Sequence, residues 1–430
     1  MKKYLQVPLG FFLIIFLVGS GMRCTSIYAT ALVDRGFSMT IFGIGTSLNT
    51  VAGFISGLLI AQLLERFSVK KVVGLGILFI SLGTFILSIA ESTIALFLGF
   101  FIIGMAMILA GYTPAIIVLS KWYQTNFALV ISLVYTGMTI GTSTMSLLYG
   151  ELAPRIGFTY TLWIMAAMQF LIGFLALKFL VAEDPCEIGA EIYIAPKKDK
   201  DITKVKNPTP TLNVTPKEAK KKFLFWYLLI VFFCINSIVS TLQLYIPAYM
   251  ETMGHSLQSA SQLLSILMVF GAISTVLSGY ITDKFSAFTF YIMTAVFFLV
   301  ACVLLLAIPK SYPAMMLMAA LMGIAYPASS IAPSLMLYDS FSKETAGKLT
   351  GFSNATLFAA MGVSSPIVGY AYDLTNSYVE IFVVMTILFV GGILLMIFYK
   401  FIKNWEIRKE PALCARKEHT STQQSLTEIN

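Results

Sequence analysis

The sequence predicts an all-α membrane protein with twelve transmembrane helices in two pseudo-symmetric six-helix bundles, and three observations carry that prediction. Of the 430 residues, 58% are hydrophobic and 12% charged, more apolar surface than a soluble core of this length can enclose. Twelve stretches approach the roughly 20 apolar residues a helix needs to cross the hydrocarbon. One loop also occurs twice. Ala61-Gln62-Leu63-Leu64-Glu65-Arg66-Phe67-Ser68 and Gly279-Tyr280-Ile281-Thr282-Asp283-Lys284-Phe285-Ser286 each follow the second apolar stretch of their half, and such repetition points to transporters built from duplicated units.

The expected spans are 8–32, 41–63, 72–89, 94–119, 127–150 and 160–181, then 223–250, 259–281, 288–308, 313–337, 349–372 and 379–402. The first is too long for a signal-peptide core and lacks a small-residue cleavage site, so it reads as a permanent span of a chain beginning at Met1. A second echo closes each half: Gly150-Glu151-Leu152-Ala153-Pro154-Arg155-Ile156-Gly157 leads into the sixth span and the segment from Gly369 through Asp373 to Tyr378 into the twelfth. The division is therefore a bundle at 1–182, a linker at 183–222, a bundle at 223–402 and a tail at 403–430. The linker mixes acids, prolines and Lys217, Lys220, Lys221 and Lys222, and is expected to be flexible.

Twelve spans put both termini on one side, and 25 of the 29 Lys and Arg residues fall on that side. Basic loops stay cytoplasmic, so the termini and linker are expected there, in an inner membrane of bacterial type. The net charge of +8 is read as topology rather than nucleic-acid binding, since the basic residues flank spans instead of forming one face. The linker lysines and membrane lipid are natural neighbours. Five cysteines, Cys24, Cys186, Cys234, Cys302 and Cys414, form no disulfide framework or metal spacing.

Arg23 is the one formal charge expected deep in a span. A charge there costs about 2.5–3.5 kcal/mol on insertion scales and so marks a cavity or pathway. Gly19, Ser20, Ser26 and Thr30 share its face. A guanidinium fork suits a carboxylate, which favours an organic anion as ligand, with a structural post or a snorkelling side chain as the alternatives. Further polar stripes recur at helical spacing: Thr46, Asn49, Gly53 and Ser56; Ser132, Tyr135, Thr139, Thr142 and Ser146; Asn236, Ser240, Gln243 and Pro247. Hydroxyl groups of this kind also glue helices together. Asn49, Asn236, Gln243 and Asn354 are costlier to bury unpaired and are the stronger ligand candidates, joined by Tyr112, Tyr135 and Tyr326, whose phenols can donate to a carboxylate. Pro114, Pro247, Pro327, Pro333 and Pro366 permit bends. No acidic residue is expected in a helix interior, and His255 and His419 fall in a loop and the tail, so no buried proton carrier is evident.

On Gly21-Met22-Arg23-Cys24-Thr25, on residues 104–112, on Lys121-Trp122-Tyr123 through Gly137 and Gly141, and on Gly369 through Tyr378, the chain resembles the major facilitator superfamily, most of all its monocarboxylate transporter and oxalate/formate exchanger branch. The resemblance implies two bundles rocking about a central cavity. It also implies a cytoplasmic gate at the duplicated loop, Glu65 and Arg66 in one copy and Asp283 and Lys284 in the other, where an acid can hold the N-terminal end of a helix from the opposite half. Ala61, Glu65 and Ser68 depart from the family's Gly, Asp and Gly, and Ser286 from its second Gly. Where members of the branch carry an eighth-span arginine this chain has Thr275, and where the oxalate exchangers carry an eleventh-span lysine it has Met361. A single carboxylate on the cargo is the simpler expectation.

The expected function is thus secondary transport, as antiporter or symporter, of a small monocarboxylate by alternating access, in a monomer without cofactor or metal. Export of a neutral or amphipathic compound, with Arg23 structural, is the alternative within transport, and a non-transporting membrane sensor the alternative outside it. Neither GxxxxGK[ST] nor HExxH is present, and no nucleophile stands with a base, so an enzyme is not expected.

Overall fold

The computed structural model describes residues 2–123, 127–188, 212, 214–284, 286–326 and 332–427. Within the first half, α1 (Lys2–Arg23) passes through a 3₁₀ turn (Cys24–Tyr28) into α2 (Ala29–Asp34), followed by α3 (Met39–Arg66), α4 (Val69–Ile89), α5 (Thr93–Leu109), α6 (Tyr112–Trp122), α7 (Phe127–Ile156) and α8 (Phe158–Phe179). After the short α9 (Pro216–Ala219) come α10 (Phe223–Thr252), α11 (Leu257–Lys284), α12 (Ala287–Ala307), α13 (Tyr312–Ala325), α14 (Ala332–Ser340), α15 (Lys343–Thr375) and α16 (Tyr378–Thr427). The first span is α1 to α2, the fourth is α5 with α6, and the tenth is α13 with α14.

Serine hydroxyls begin several helices by accepting the orphan N–H one turn in: Ser38 from Ile41, Ser92 from Ala95 and Ser286 from Thr289. The repeat is visible in the backbone. Gly157, at φ 85°, and Asn376, at φ 51°, make the corresponding left-handed turns that lead into the last helix of each half. Asn376 is the one non-glycine residue with positive φ among those described.

Among the described residues, nine segments are long and apolar enough to cross a membrane, and Tyr312–Ala325 is a shorter apolar helix. Their outer faces carry exposed apolar side chains such as Leu58, Ile387 and Phe401, as lipid requires. The helices α7 and α15 carry Ser, Thr and Gly instead, and they face the other half. In the first half α1 packs on α7, α4 lies between α5 and α8, and α3 packs on α5. In the second, α10 packs on α15 and α16, and α13 on α11 and α12. The halves meet along α3 with α15 and α7 with α11.

Those two seams are tight at the end remote from the chain termini. Gly43 and Gly369 allow α3 and α15 to approach backbone to backbone, since a Cβ on either would collide with Ser365 and Pro366 or with Met39. Thr46 and Ser365 hydroxyls meet at 2.6 Å and Ser47 donates to the Gly362 carbonyl at 2.5 Å. In the second seam Ser143 meets Ser265 at 2.5 Å and Ser146 donates to the Ser261 carbonyl at 3.3 Å. Toward the termini, among the described residues, nothing lies within 4 Å of where a Cβ would stand on Gly57 or Gly351.

Four expectations change. The first and fourth spans are interrupted, at Cys24 and at Ala110-Gly111. At the latter break a Cβ on Gly111 would strike the Met107 carbonyl. The final helix continues past 402, burying Lys403 and Glu406. The linker is not uniformly flexible where it is described. Leu212 exchanges backbone hydrogen bonds with Ser340 and Ser342, and Thr215 and Glu218 form a capping box on α9. Residues 189–211 and 213 lie outside the described residues. Last, α10 runs to Thr252 and so places Glu251 in a helix, where no acid was expected.

Candidate functional site

Where the seams diverge, five elements enclose a cavity of about 70 Å³. Thr25 and Ser26 enter from the 3₁₀ turn, Thr46, Asn49 and Thr50 from α3, and Ser240, Thr241, Gln243 and Leu244 from α10. Leu264 and Met268 of α11, and Met361 and Ser365 of α15, complete the wall. About 10–15 Å³ of such volume holds one water, so the cavity, which is open on one side, has room for several water-sized groups.

Local sequence explains how these groups come to face inward. The 3₁₀ turn breaks the ordinary helical ladder exactly one residue after Arg23, and such mid-span irregularity is tolerated only where backbone lines a cavity or protein. On α3, Thr46, Asn49 and Thr50 follow the three- and four-residue spacing of one helix face. Asn49 is held close to α5 because Gly104 admits its backbone. On α10 the Thr241 hydroxyl donates to Ser364 at 2.6 Å and the Ser240 hydroxyl to the Asn236 carbonyl at 2.5 Å. The Gln243 amide, 6% exposed, keeps its Nε2 without a partner. Each described lining side chain is uncharged at neutral pH.

Of the residues singled out in the sequence, Ser26, Thr46, Asn49, Ser240 and Gln243 line the cavity. Asn236 lies two turns from Gln243 on α10, fully buried, with neither amide atom bonded. Tyr112 and Tyr135 lie off the cavity, their rings packed at 3.9 Å and tilted by 35°, with the Tyr112 hydroxyl 2.8 Å from the Met138 sulfur. Tyr326 is buried against Gly271 at the end of α13. Arg23 is the last residue of α1, two positions before Thr25. The side chains of Arg23, Asn354, Asp283 and Lys284 lie outside the described residues. Glu65 and Arg66 are exposed, and their side chains make no hydrogen bond or ion pair among the described residues.

Two members of the fifth-span stripe bond to neighbouring helices. Thr142 donates to the Gly19 and Met138 carbonyls, and Ser146 crosses the seam to Ser261. Gly19 and Ser20 likewise pack, Ser20 accepting from Gln169 at 3.0 Å. Thr25, Thr50, Thr241 and Met361 were not among the sequence candidates, and their residue types carry no signal that separates them from packing residues.

The model of the Major Facilitator Superfamily matches residues 11–311 and 272–424. The chain belongs to this superfamily. Relatives include an MFS-type transporter of Gibberella moniliformis, 27% identical over 62% of this chain and 59% of that protein. The uncharacterized MFS-type transporter YddS of Bacillus subtilis is 22% identical over 91% of this chain and 88% of its own length. The fold is shared with the nucleoside transporter NupG, at TM-score 0.71 and 13% identity, covering 94% of this chain and 99% of that one. It is also shared with a bacterial homolog of the human lysosomal transporter Spinster, at TM-score 0.64 and 17% identity over 94% and 96%. The protein is an integral, multi-pass membrane member of the superfamily.

Proposed function

We propose that this superfamily member is a secondary transporter that carries a small polar organic compound through the cavity between residues 1–182 and 223–402 by alternating access. The observation that carries the reading is the Gln243 amide. A buried, unpartnered donor costs about 1–3 kcal/mol, which a cargo atom would offset on entering. Thr25, Ser26 and Thr50 line the same cavity, the Thr50 hydroxyl donating to the Thr46 carbonyl at 3.0 Å. Closure at one end and separation at the other match one extreme of a rocking cycle, and ligand contacts that differ between the extremes shift their populations. With most basic residues at the separated end, that end faces the cytoplasm.

A monocarboxylate is the favoured cargo class. Arg23 immediately precedes the lining turn, no acid is among the described lining residues, and the apolar Met361 occupies the cavity where the dicarboxylate exchangers that the chain resembles carry a lysine. A neutral polar cargo is the second reading, favoured by the uncharged character of each described lining side chain.

Thermal stability of the purified protein against panels of monocarboxylates, dicarboxylates, sugars and nucleosides tests both. A monocarboxylate shift that disappears in Gln243→Leu and in Arg23→Gln supports the first. A shift by a neutral compound that survives Arg23→Gln but not Gln243→Leu selects the second. Stabilisation untouched by Gln243→Leu removes the cavity as the binding site.

A further inference from the structure

Two turns beyond Gln243 on the same face of α10, about 12 Å nearer the sealed end, stands a carboxyl group that the cavity does not use. Glu251 is half-buried where the halves meet. The Thr30 side chain of α2 adjoins it from the other half, and its Oε1 is shielded from solvent without a partner. A second acid, Asp34, lies on the same side of α2 and repels it.

Glu251 makes no ion pair among the described residues. The Arg35 guanidinium donates to the Ser88 carbonyl at 2.8 Å and the Thr159 hydroxyl at 2.5 Å, and lies 4.5 Å from the Phe158 ring centre. Arg155 pairs with Glu151. His255, just past α10, contacts the Pro309 carbonyl at 2.7 Å, and Asp373 is engaged by the start of α3. The remaining titratable neighbours are phenols, Tyr149 from α7 and Tyr378 from α16, both buried and both with hydroxyls lacking a partner. An anion in such a place is costly, whereas a neutral carboxylic acid can remain there and donate to a phenol oxygen.

Between Gln243 and Glu251 lies Pro247. With no N–H, it leaves the Gln243 carbonyl without its helical partner and allows α10 to bend at that point. The end of α10 that seals against α2 can thus move while the cavity portion stays in place.

Resting on the alternating-access reading above, we propose that Glu251 couples closure of this end to proton binding. With the end sealed, the group is the neutral acid. When the outer part of α10 tilts away at Pro247, the O–H bond breaks, the proton passes to water at that face, and the hydrated carboxylate resists resealing until a proton returns. Acid therefore favours the sealed state.

Full-length protein in lipid vesicles, with Cys186, Cys234 and Cys414 replaced by serine, provides the test. Spin labels at Glu91→Cys and Lys310→Cys report the distance across the sealed end between pH 5 and 9, and labels at Ser120→Cys and Tyr338→Cys report the opposite end. The sealed-end distance should lengthen as pH rises, and Glu251→Gln should abolish that response and hold the short distance throughout. Glu251→Asp should retain a response with a displaced midpoint, which keeps the test informative if the glutamine variant assembles poorly. An unchanged pH response in Glu251→Gln, or a parent distance that does not move with pH, overturns the inference. If the opposite end still changes distance, alternating access stands without it; if both pairs are static in every condition, including saturating ligand, that reading falls too.

Discussion

The two halves repeat the same kinds of contact at very different strength. At the sealed end Asp373 of α15 accepts from the backbone N–H groups of Met39 at 3.0 Å and Thr40 at 2.8 Å, and from the Thr40 hydroxyl, so it caps α3 from the other half. On the matching seam Glu151 of α7 accepts from the Gln258 side chain at 2.7 Å and otherwise pairs with Arg155 of its own helix. At the opposite end, Lys403 of α16 pairs with Asp339 of α14 at 2.8 Å, their side chains 7% and 13% exposed. The first half has the clasp with its charges exchanged, Lys121 of α6 with Asp184 after α8, at 3.3 Å and 45% and 53% exposed. Duplication preserved where an ionic contact sits, while burial and the number of bonds decide what it is worth.

The largest test of that contrast is at the clasps. Lys403→Met leaves Asp339, which also accepts from the Tyr399 hydroxyl at 2.9 Å, buried without its cation, and should destabilise the protein by about 3–5 kcal/mol. Lys403→Met combined with Asp339→Leu should recover much of that loss. Lys121→Met should cost about 0–1 kcal/mol. Melting curves in one detergent compare all three, and equal losses at Lys403 and Lys121 would break the contrast.

Asp373→Ala should come next. It removes a helix cap and its dipole interaction, an effect of about 0.5–2 kcal/mol, and should raise the population open at the sealed end by roughly 2- to 30-fold, read from the Glu91 to Lys310 label distance. Glu151→Gln should shift the same population least, by about 0.2–1 kcal/mol, with the effect fading in high salt. A larger response to Glu151→Gln than to Asp373→Ala would reverse the assignment of the stronger seam.

Span positions and the repeat were legible because they are local: an apolar run of sufficient length has few alternatives in lipid, and the turns at Gly157 and Asn376 sit inside segments that already looked alike. The cavity was legible only in part. Asn49 and Gln243 were identified because a buried amide needs partners, whereas Tyr112 and Tyr135, chosen because a phenol can donate to a carboxylate, pack ring against ring away from the cavity. Thr46 and Thr142 occupy equivalent-looking polar stripes, yet Thr46 lines the cavity and Thr142 binds the backbone of α1. Glu251 escaped notice because hydropathy marks a span's middle far better than its last turn.

By itself, the sequence determined that this chain crosses the membrane repeatedly, that its halves are copies and that polar faces run along α3, α7 and α10, since these follow from apolar length and helical period. The tertiary structure decided which faces open onto a cavity, which close a seam, and that Pro247 separates the cavity from a carboxyl group at the sealed end. The physical reason is that polarity states that a side chain needs a partner, whereas the partner's identity depends on helices hundreds of residues away packing against it.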